Sequence, residues 1–316
     1  MKDFTTQKTE HKIIFMGTAD FSVLPLEKLN EKFDIELVVT KKDKLRNRNK
    51  LLPTPVKEKA LELGLNVITP DSVRDDEFFS IVKKINPDFL VVVAFGKIID
   101  KRLIDFMQGR ILNIHASVLP KLRGACPINF AIVEGFKKTG VSIMSIDEGL
   151  DTGDVLAVEQ TNISDSENVE QLYERLKVIG SNLIVKVIDN FDTFFKNRKK
   201  QDLDYTYAPV ITKEMGKLDF NDTSLNIHNK IRGFYNWPST FCNYNGETIK
   251  IHKSEVSKEK FDGKIGEIFK VDDDGFFVKT KDSSIKILQI QFPGKKRLFV
   301  KDYLKGNSIK IGEILK

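Results

Sequence analysis

Asn113 and His115 stand two residues apart at the end of the apolar run Arg110–Ile114, so their side chains project to the same side of a strand. The chain has four histidines: His11 in a polar N-terminal arm, His228 in a helical stretch, His252 in a strand-like stretch, and His115. Only His115 sits where an open α/β sheet places reactive groups, beyond the carboxyl end of a strand. Taken alone, a strand-end histidine is more often structural, but its surroundings argue otherwise. The irregular loop Ala116-Ser117-Val118-Leu119-Pro120-Lys121-Leu122-Arg123-Gly124 follows it. After a later strand comes Asp147-Glu148-Gly149-Leu150-Asp151-Thr152-Gly153-Asp154, rich in carboxylates. Such a cluster is either a cation site or a solvated turn, and it lacks the ligand spacing of a calcium loop. A carboxylate near an imidazole has another use, fixing its tautomer and its charge. An asparagine amide beside it can donate to an oxyanion. With no serine or cysteine nucleophile in the group, this trio suits direct attack of a substrate amine on an acyl carbon. Cys126 has no base beside it and reads as a small packing residue.

Positioning such groups requires a sheet, and the first two-thirds of the chain supplies the pattern. Lys12–Met16, Ile35–Thr40, Leu65–Ile68, Asp88–Ala94, Arg110–Ile114 and Gly140–Ile146 read as strands. Helical spacing at Phe21–Asn30, Pro55–Leu63, Phe78–Ile85 and Asn168–Phe194 alternates with them. Asp88–Ala94 is apolar at nearly every position, as a central strand covered on both faces must be. The expected fold is α/β, a Rossmann-like doubly wound parallel sheet spanning residues 1–204. The Gly17-Thr18 turn is neither a dinucleotide fingerprint nor a phosphate loop, which argues against a nicotinamide-dependent dehydrogenase. The polar, charged stretch at about 190–207 has the composition of a linker. Beyond it, a helix over Asn221–Phe234 is expected. Short strands follow at Phe241–Tyr244, Thr248–Val256, Gly263–Val271, Gly275–Thr280, Ser284–Phe292 and Lys310–Ile314. These predict an OB-like β-barrel over residues 208–316. Phe234 and Trp237 read as packing residues.

An apolar fraction of 41% supports a real core, and no run approaches the ~20 apolar residues of a membrane span. The N-terminal MKDFTTQKTEHK lacks the apolar region of a secretory signal, and two cysteines without a CxxC pair make no disulfide framework or zinc site. A reduced, cytoplasmic, monomeric enzyme with no metal is the expectation. Lys and Arg balance Asp and Glu at 31 each over residues 1–204, so the net charge of +6 arises wholly in the last third. That is either a solvated basic face or a phosphate-binding one.

The runs ILNIHASVLPKLRGACPI and SIDEGLDTGDVL together resemble the folate-dependent formyltransferases. IIFMGTADFSVLPLEKL, the segment from Thr40 to Lys57, IRGFYNWPSTF and the basic C-terminal third resemble the branch of that family that acts on tRNA, over about Lys12–Ile314. The resemblance implies 10-formyltetrahydrofolate as formyl donor and initiator methionyl-tRNA as acceptor, in translation initiation. It places the catalytic trio on Asn113, His115 and Asp151. Asn113 and His115 would stabilise the oxyanion, while Asp151 would orient His115 and help carry a proton to the leaving folate nitrogen. Phe95, Gly96, Ser117, Val118, Leu119, Pro120, Asp147 and Gly149 would contact the folate, Phe95 and Gly96 through their backbone. The family's tRNA-reading insertion falls on Lys41, Lys42, Lys44, Arg46, Arg48 and Lys50, with Asn47 and Asn49 in place of flanking glycines. Lys295, Lys296 and Arg297, with Lys250, Lys253 and Lys279, would meet tRNA phosphates. Rival acceptors are an amino sugar and glycinamide ribonucleotide, which need neither the basic barrel nor the basic insertion. A non-catalytic RNA-binding protein would not be expected to retain the trio.

Overall fold

The computed structural model describes residues 9–46 and 50–316. Its elements, in chain order, begin with β1 (Lys12–Gly17), α1 (Val23–Lys32), β2 (Asp34–Val39), β3 (Lys44–Arg46), β4 (Lys50–Leu52), α2 (Pro55–Glu62) and β5 (Val67–Ile68). Next come α3 (Asp76–Ile85), β6 (Phe89–Val93), α4 (Lys101–Met107), β7 (Ile111–His115), β8 (Arg123–Gly124), α5 (Pro127–Val133), β9 (Lys138–Ser145) and β10 (Val155–Asn162). Then follow α6 (Val169–Asp189), α7 (Phe191–Lys196), β11 (Tyr207–Ala208) and α8 (Ser224–Gly233). The chain ends with β12 (Thr240–Tyr244), β13 (Glu247–Ser257), β14 (Ile268–Val271), β15 (Phe276–Lys279), β16 (Ser284–Gln291), β17 (Leu298–Phe299) and α9 (Val300–Tyr303).

Two compact units result. One holds the chain up to Gly124 together with Thr139–Thr161 and Tyr173–Tyr207; the other holds Ala125–Lys138, Asn162–Leu172 and Ala208–Lys316. The final crossing at Tyr207/Ala208 lies beside the cut expected from composition, but two earlier segments also belong to the second unit. The reason is local packing. Helix α5 buries Ile128, Ala131 and Ile132, and its Asn129 Nδ2 donates to Gly233 O of α8 at 2.8 Å.

In the first unit the strand order is β10-β9-β7-β6-β1-β2-β5. β1 pairs in parallel with β2 and β6, β2 with β5, and β6 with β7. The chain builds outward from β1 through β2 and β5, then reverses through β6 and β7. The reversal opens a crevice at the carboxyl ends of β1 and β6. Two hydroxyls fix the loop there: Ser22 Oγ donates to Val93 O at 2.7 Å and Thr18 Oγ1 to Phe95 O at 3.4 Å. All five residues of β6 are buried, as a central strand requires. Helix starts follow side-chain capping, with Thr54, Asp75 and Asp100 accepting from the first-turn N–H groups of α2, α3 and α4. Helix α6 comes close to the sheet at Gly180, where a Cβ would sit 2.8 Å from Ile114 Cγ2.

The sheet departs from the expected all-parallel form. β9 runs antiparallel to β7, pairing His115 with Ser142 and Asn113 with Met144. The chain between them makes no return crossover, so β9 starts at the end where β7 stops. Strand β10 was not expected at all; it is an edge strand with a single buried residue, Leu156.

In the second unit the sheet order is β12-β13-β16-β15-β14, with β17 on β16. The last residues close it. Lys316 exchanges backbone hydrogen bonds with Asn243 of β12 (2.6 and 3.1 Å), while Ile268 of β14 donates to Glu313 O (2.8 Å) and accepts from Gly312 N (2.7 Å). Ile249, Ile251, Ile268, Phe276, Val278, Ile285, Ile287 and Ile290 fill the interior with Ile227 and Ile231 of α8. The expected strand at Lys310–Ile314 is therefore a closing segment, joined through the single bridge Glu267–Ile314. Phe234 is buried edge-on against Phe130, but Trp237 is 60% exposed and packs less than the sequence suggested.

Candidate active site

The end of β7 brings three of the expected groups together. Asn113 is half-buried on β7 between β6 and β9, and its amide has no hydrogen-bond partner among the described residues. It is therefore free to donate to a ligand. His115, on the same face, is 5% exposed. Its Nε2 lies 2.9 Å from Leu122 O, and its Nδ1 lies 3.6 Å from Asp151 Oδ2. A carbonyl can only accept, so Nε2 carries a proton and donates to it. In the neutral ring Nδ1 is then the basic atom; a protonated ring points a second N–H toward the carboxylate. Direct donation from Nε2 to an oxyanion is blocked by the Leu122 carbonyl, so His115 can serve an oxyanion only through Nδ1.

Asp151 is held from several directions. Its Oδ2 accepts from Gly124 N at 2.8 Å. Its backbone has φ 52°, a left-handed conformation that costs energy in a residue other than glycine. Gln201 holds that turn, Nε2 donating to Asp151 O and to Gly153 O, both at 2.8 Å. The other end of the same amide, Oε1, accepts from Arg123 Nε at 3.0 Å and Nη2 at 2.8 Å. Gly153 is required by space, since a Cβ there would lie 1.8 Å from Ser145 O. Gln201, Arg123 and Thr206, whose Oγ1 accepts from Leu122 N at 2.9 Å, are the supports that sequence reasoning missed. Gln201 and Thr206 lie in the polar stretch read as a linker, and Arg123 in the loop after His115, where residue type alone marked no support.

The expected folate contacts differ in what they can offer. Phe95 is 2% exposed, its ring in the apolar cluster with Leu90, Leu103 and Ile99, so only its backbone faces outward. Gly96 is exposed, and its carbonyl accepts from Lys41 Nζ at 3.0 Å. Ser117 is fully buried, with Oγ committed to Lys121 O at 2.6 Å; it shapes the loop and offers no hydroxyl. The loop turns at the cis bond Leu119-Pro120, and Leu119 N donates to Ser142 Oγ. Val118 and Pro120 are half-buried, and Leu119 is buried. Asp147 Oδ1 closes its own loop by accepting from Gly149 N at 3.1 Å and Thr152 Oγ1 at 2.6 Å. Gly149 and Leu150 lie exposed at its tip.

Of the basic insertion, Lys42 pairs with Asp71 at 2.5 Å, and β3 and β4 form a short antiparallel hairpin. The side chains of Lys44, Arg46 and Lys50, and all of Arg48, lie outside the described residues. Lys295 and Lys296 are exposed beyond β16, while the Arg297 guanidinium lies 4.7 Å from the Tyr235 ring centroid. Burial pushes the Cys126 thiol above its usual range, which keeps it protonated and unreactive. Among the described residues no group of three or more His, Cys, Asp and Glu could hold a metal ion. No described helix is long and apolar enough to cross a membrane.

Comparison with known proteins gives the same picture. The formyl transferase family model matches residues 11–188, and the model for the formyl transferase C-terminal domain matches 210–308. The methionyl-tRNA formyltransferase of Finegoldia magna is 45% identical over 309 residues, spanning 97% of this chain and all of that one. That of Clostridium acetobutylicum is 42% identical, spanning 96% and 99%. The fold is similar to the sugar 3N-formyltransferase WlaRD, crystallised with dTDP and 5-N-formyl-THF, at TM-score 0.66 and 22% identity, covering 91% of this chain and 100% of that one. It is likewise similar to an N-formyltransferase of Helicobacter canadensis, at TM-score 0.65 and 21% identity, covering 88% and 99%. With both parts of the chain matched and full-length likeness at this level, the chain belongs to the formyl transferase family, among the methionyl-tRNA formyltransferases.

Proposed function

We propose that the chain transfers the formyl group of 10-formyltetrahydrofolate to the α-amine of methionine esterified to initiator tRNA. The observation that carries this reading is the convergence of an uncommitted Asn113 amide, the His115 imidazole and the Asp151 carboxylate at the carboxyl end of β7. The donor set suits an acyl carbon between a free amide and a carboxylate. The backbone at Phe95–Gly96 and the exposed tip at Gly149–Leu150 offer edges for a flat heterocycle, and the half-buried Val118 and Pro120 offer apolar surface.

In this reading Asn113 Nδ2 donates to the formyl oxygen as the amine attacks and negative charge develops there. A protonated Nδ1 of His115 stabilises the same developing charge by its proximity, while its N–H faces Asp151 and the ring is held by the Leu122 carbonyl. Asp151 orients the ring, takes a proton from the attacking amine and passes it toward the departing folate nitrogen. Loss of one oxyanion donor costs about 10²–10³ in rate, and general acid–base help is worth about 10²–10⁴. Lys295, Lys296, Arg297 and the basic insertion from Lys41 to Lys50 supply phosphate contacts, with Lys250, Lys253 and Lys279 in support. Arg297 adds an aromatic partner in Tyr235.

The test is formyl transfer from 10-formyltetrahydrofolate to initiator methionyl-tRNA, elongator methionyl-tRNA and free methionine in parallel. The reading requires efficient formylation of the initiator alone. Equal transfer to free methionine, or transfer to a nucleotide-linked amino sugar with the tRNAs inert, overturns it.

A further inference from the structure

Seven residues past α7, the chain exposes apolar surface close to the groups that hold His115. Leu203 is 89% exposed, Tyr205 44% and Tyr207 50%. The two tyrosines meet edge to face, ring centroids 5.3 Å apart. The Arg123 guanidinium lies 4.6 Å from the Tyr205 centroid, and that guanidinium is itself held by Gln201. Between the tyrosines, Thr206 O accepts from Arg123 N at 2.8 Å, and Thr206 Oγ1 accepts from Leu122 N. Leu122 is the residue whose carbonyl fixes the His115 ring. Thr206, between the two tyrosines, is therefore joined by two short hydrogen-bond steps to the His115 imidazole.

Nearby charge favours a polyanion. Lys199 and Lys200 are exposed and carry no ion pair among the described residues. Of the two acids in the same stretch, Asp204 pairs with Lys121 at 2.7 Å, while Asp202 is exposed and accepts from Leu203 N at 2.6 Å, so the cations Lys199, Lys200, Lys121 and Arg123 outnumber the carboxylates. Exposed aromatics beside cations are the recurring means of holding unpaired nucleotides, because every base has a face to stack and every link a phosphate. The proposed acceptor amine sits on the 3′-terminal ribose of a tRNA, so unpaired bases must pass beside His115 to deliver it. Resting on the proposed function above, we propose that Tyr205 and Tyr207 form a stacking platform for the unpaired 3′ end of the acceptor tRNA, with Lys199 and Lys200 on its phosphates.

The test uses initiator methionyl-tRNA carrying 2-aminopurine in the unpaired 3′ segment, with the full-length enzyme. Wild type should quench its fluorescence on binding, whereas Tyr205→Ala and Tyr207→Ala should each lose most of the quench. Each should also raise the KM for tRNA about 10-fold at nearly unchanged kcat. Tyr205→Phe and Tyr207→Phe, which keep the ring, should restore both. Full quenching by the alanine variants overturns the platform, as does a fall in kcat and melting temperature with KM unmoved. If wild type formylates no tRNA, the proposed function itself fails, which is a separable result.

Discussion

Gln201→Glu isolates the support of the Asp151 turn from the support of Arg123. Glutamate keeps an oxygen for the Arg123 fork, which Gln201 Oε1 now meets at 3.0 and 2.8 Å. It removes both donors that Nε2 gives to Asp151 O and Gly153 O, and it faces those carbonyls with a second oxygen. Two ordinary hydrogen bonds are worth about 1 kcal/mol each, and the opposed oxygens add to that, so the turn is destabilised by about 2–3 kcal/mol. Asp151 sits at φ 52° and depends on this restraint. If about half of that energy falls on the position of its carboxylate relative to His115, kcat drops about 5- to 15-fold. The KM for tRNA should stay within about 2-fold, and the melting temperature should fall by about 4–8 °C, with the buried guanidinium keeping its partner. Single-turnover formylation with a parallel thermal melt reads all three. A folded variant with wild-type kcat would refute the claim that Gln201 positions Asp151.

Other expectations follow from the same geometry. Burial holds His252 down to about 4 from 6.5, with its Nε2 bonded to Gln291 and its Nδ1 buried without a partner. The folded state then resists a proton that the unfolded chain accepts. This contribution is complete above about pH 6.5 and is lost as pH falls toward 4, by about 2–3 kcal/mol. His228, also depressed by burial, acts in the same sense. Urea unfolding of His252→Gln should lose less stability between pH 7.5 and 4.5 than wild type; identical losses contradict the assignment. Gly153→Ala, whose Cβ would press on Ser145 O, should cost about 3 kcal/mol or more and lower activity. A variant of normal melting temperature would show that the close approach is not real. Phosphate contacts predict that the affinity for tRNA falls steeply from 50 to 200 mM salt, and a flat response argues against the basic surfaces.

Much of this arrangement could be read from residue order because its signals are local. The apolar run of β6 and the switch from apolar to Asn113 and His115 on β7 mark strands and a polar strand end directly. The turns at Asn245-Gly246 and Asp274-Gly275 mark hairpins in the barrel for the same reason. What escaped is what depends on distant partners. Edge strand β10 has few buried positions and so no clear alternation. The direction of β9 is set by where the preceding chain leaves it, which periodicity does not encode. Gln201 and Thr206 are ordinary polar residues in a charged stretch; only the folded chain shows that one grips the Asp151 turn and the other the Leu122 loop. The engagement of His115 Nε2 with Leu122 O was likewise invisible, because a backbone carbonyl has no signature in the residue names.

The central claim is that Asp151 acts on the same reacting carbon as Asn113 and His115, and single-turnover formyl transfer by Asp151→Asn tests it most directly. Asparagine preserves size and can still accept from Gly124 N, but it carries neither the charge nor the basicity. With saturating 10-formyltetrahydrofolate and initiator methionyl-tRNA, the account predicts a rate lowered about 10²–10⁴-fold with tRNA binding intact. A rate within about 3-fold of wild type would contradict it.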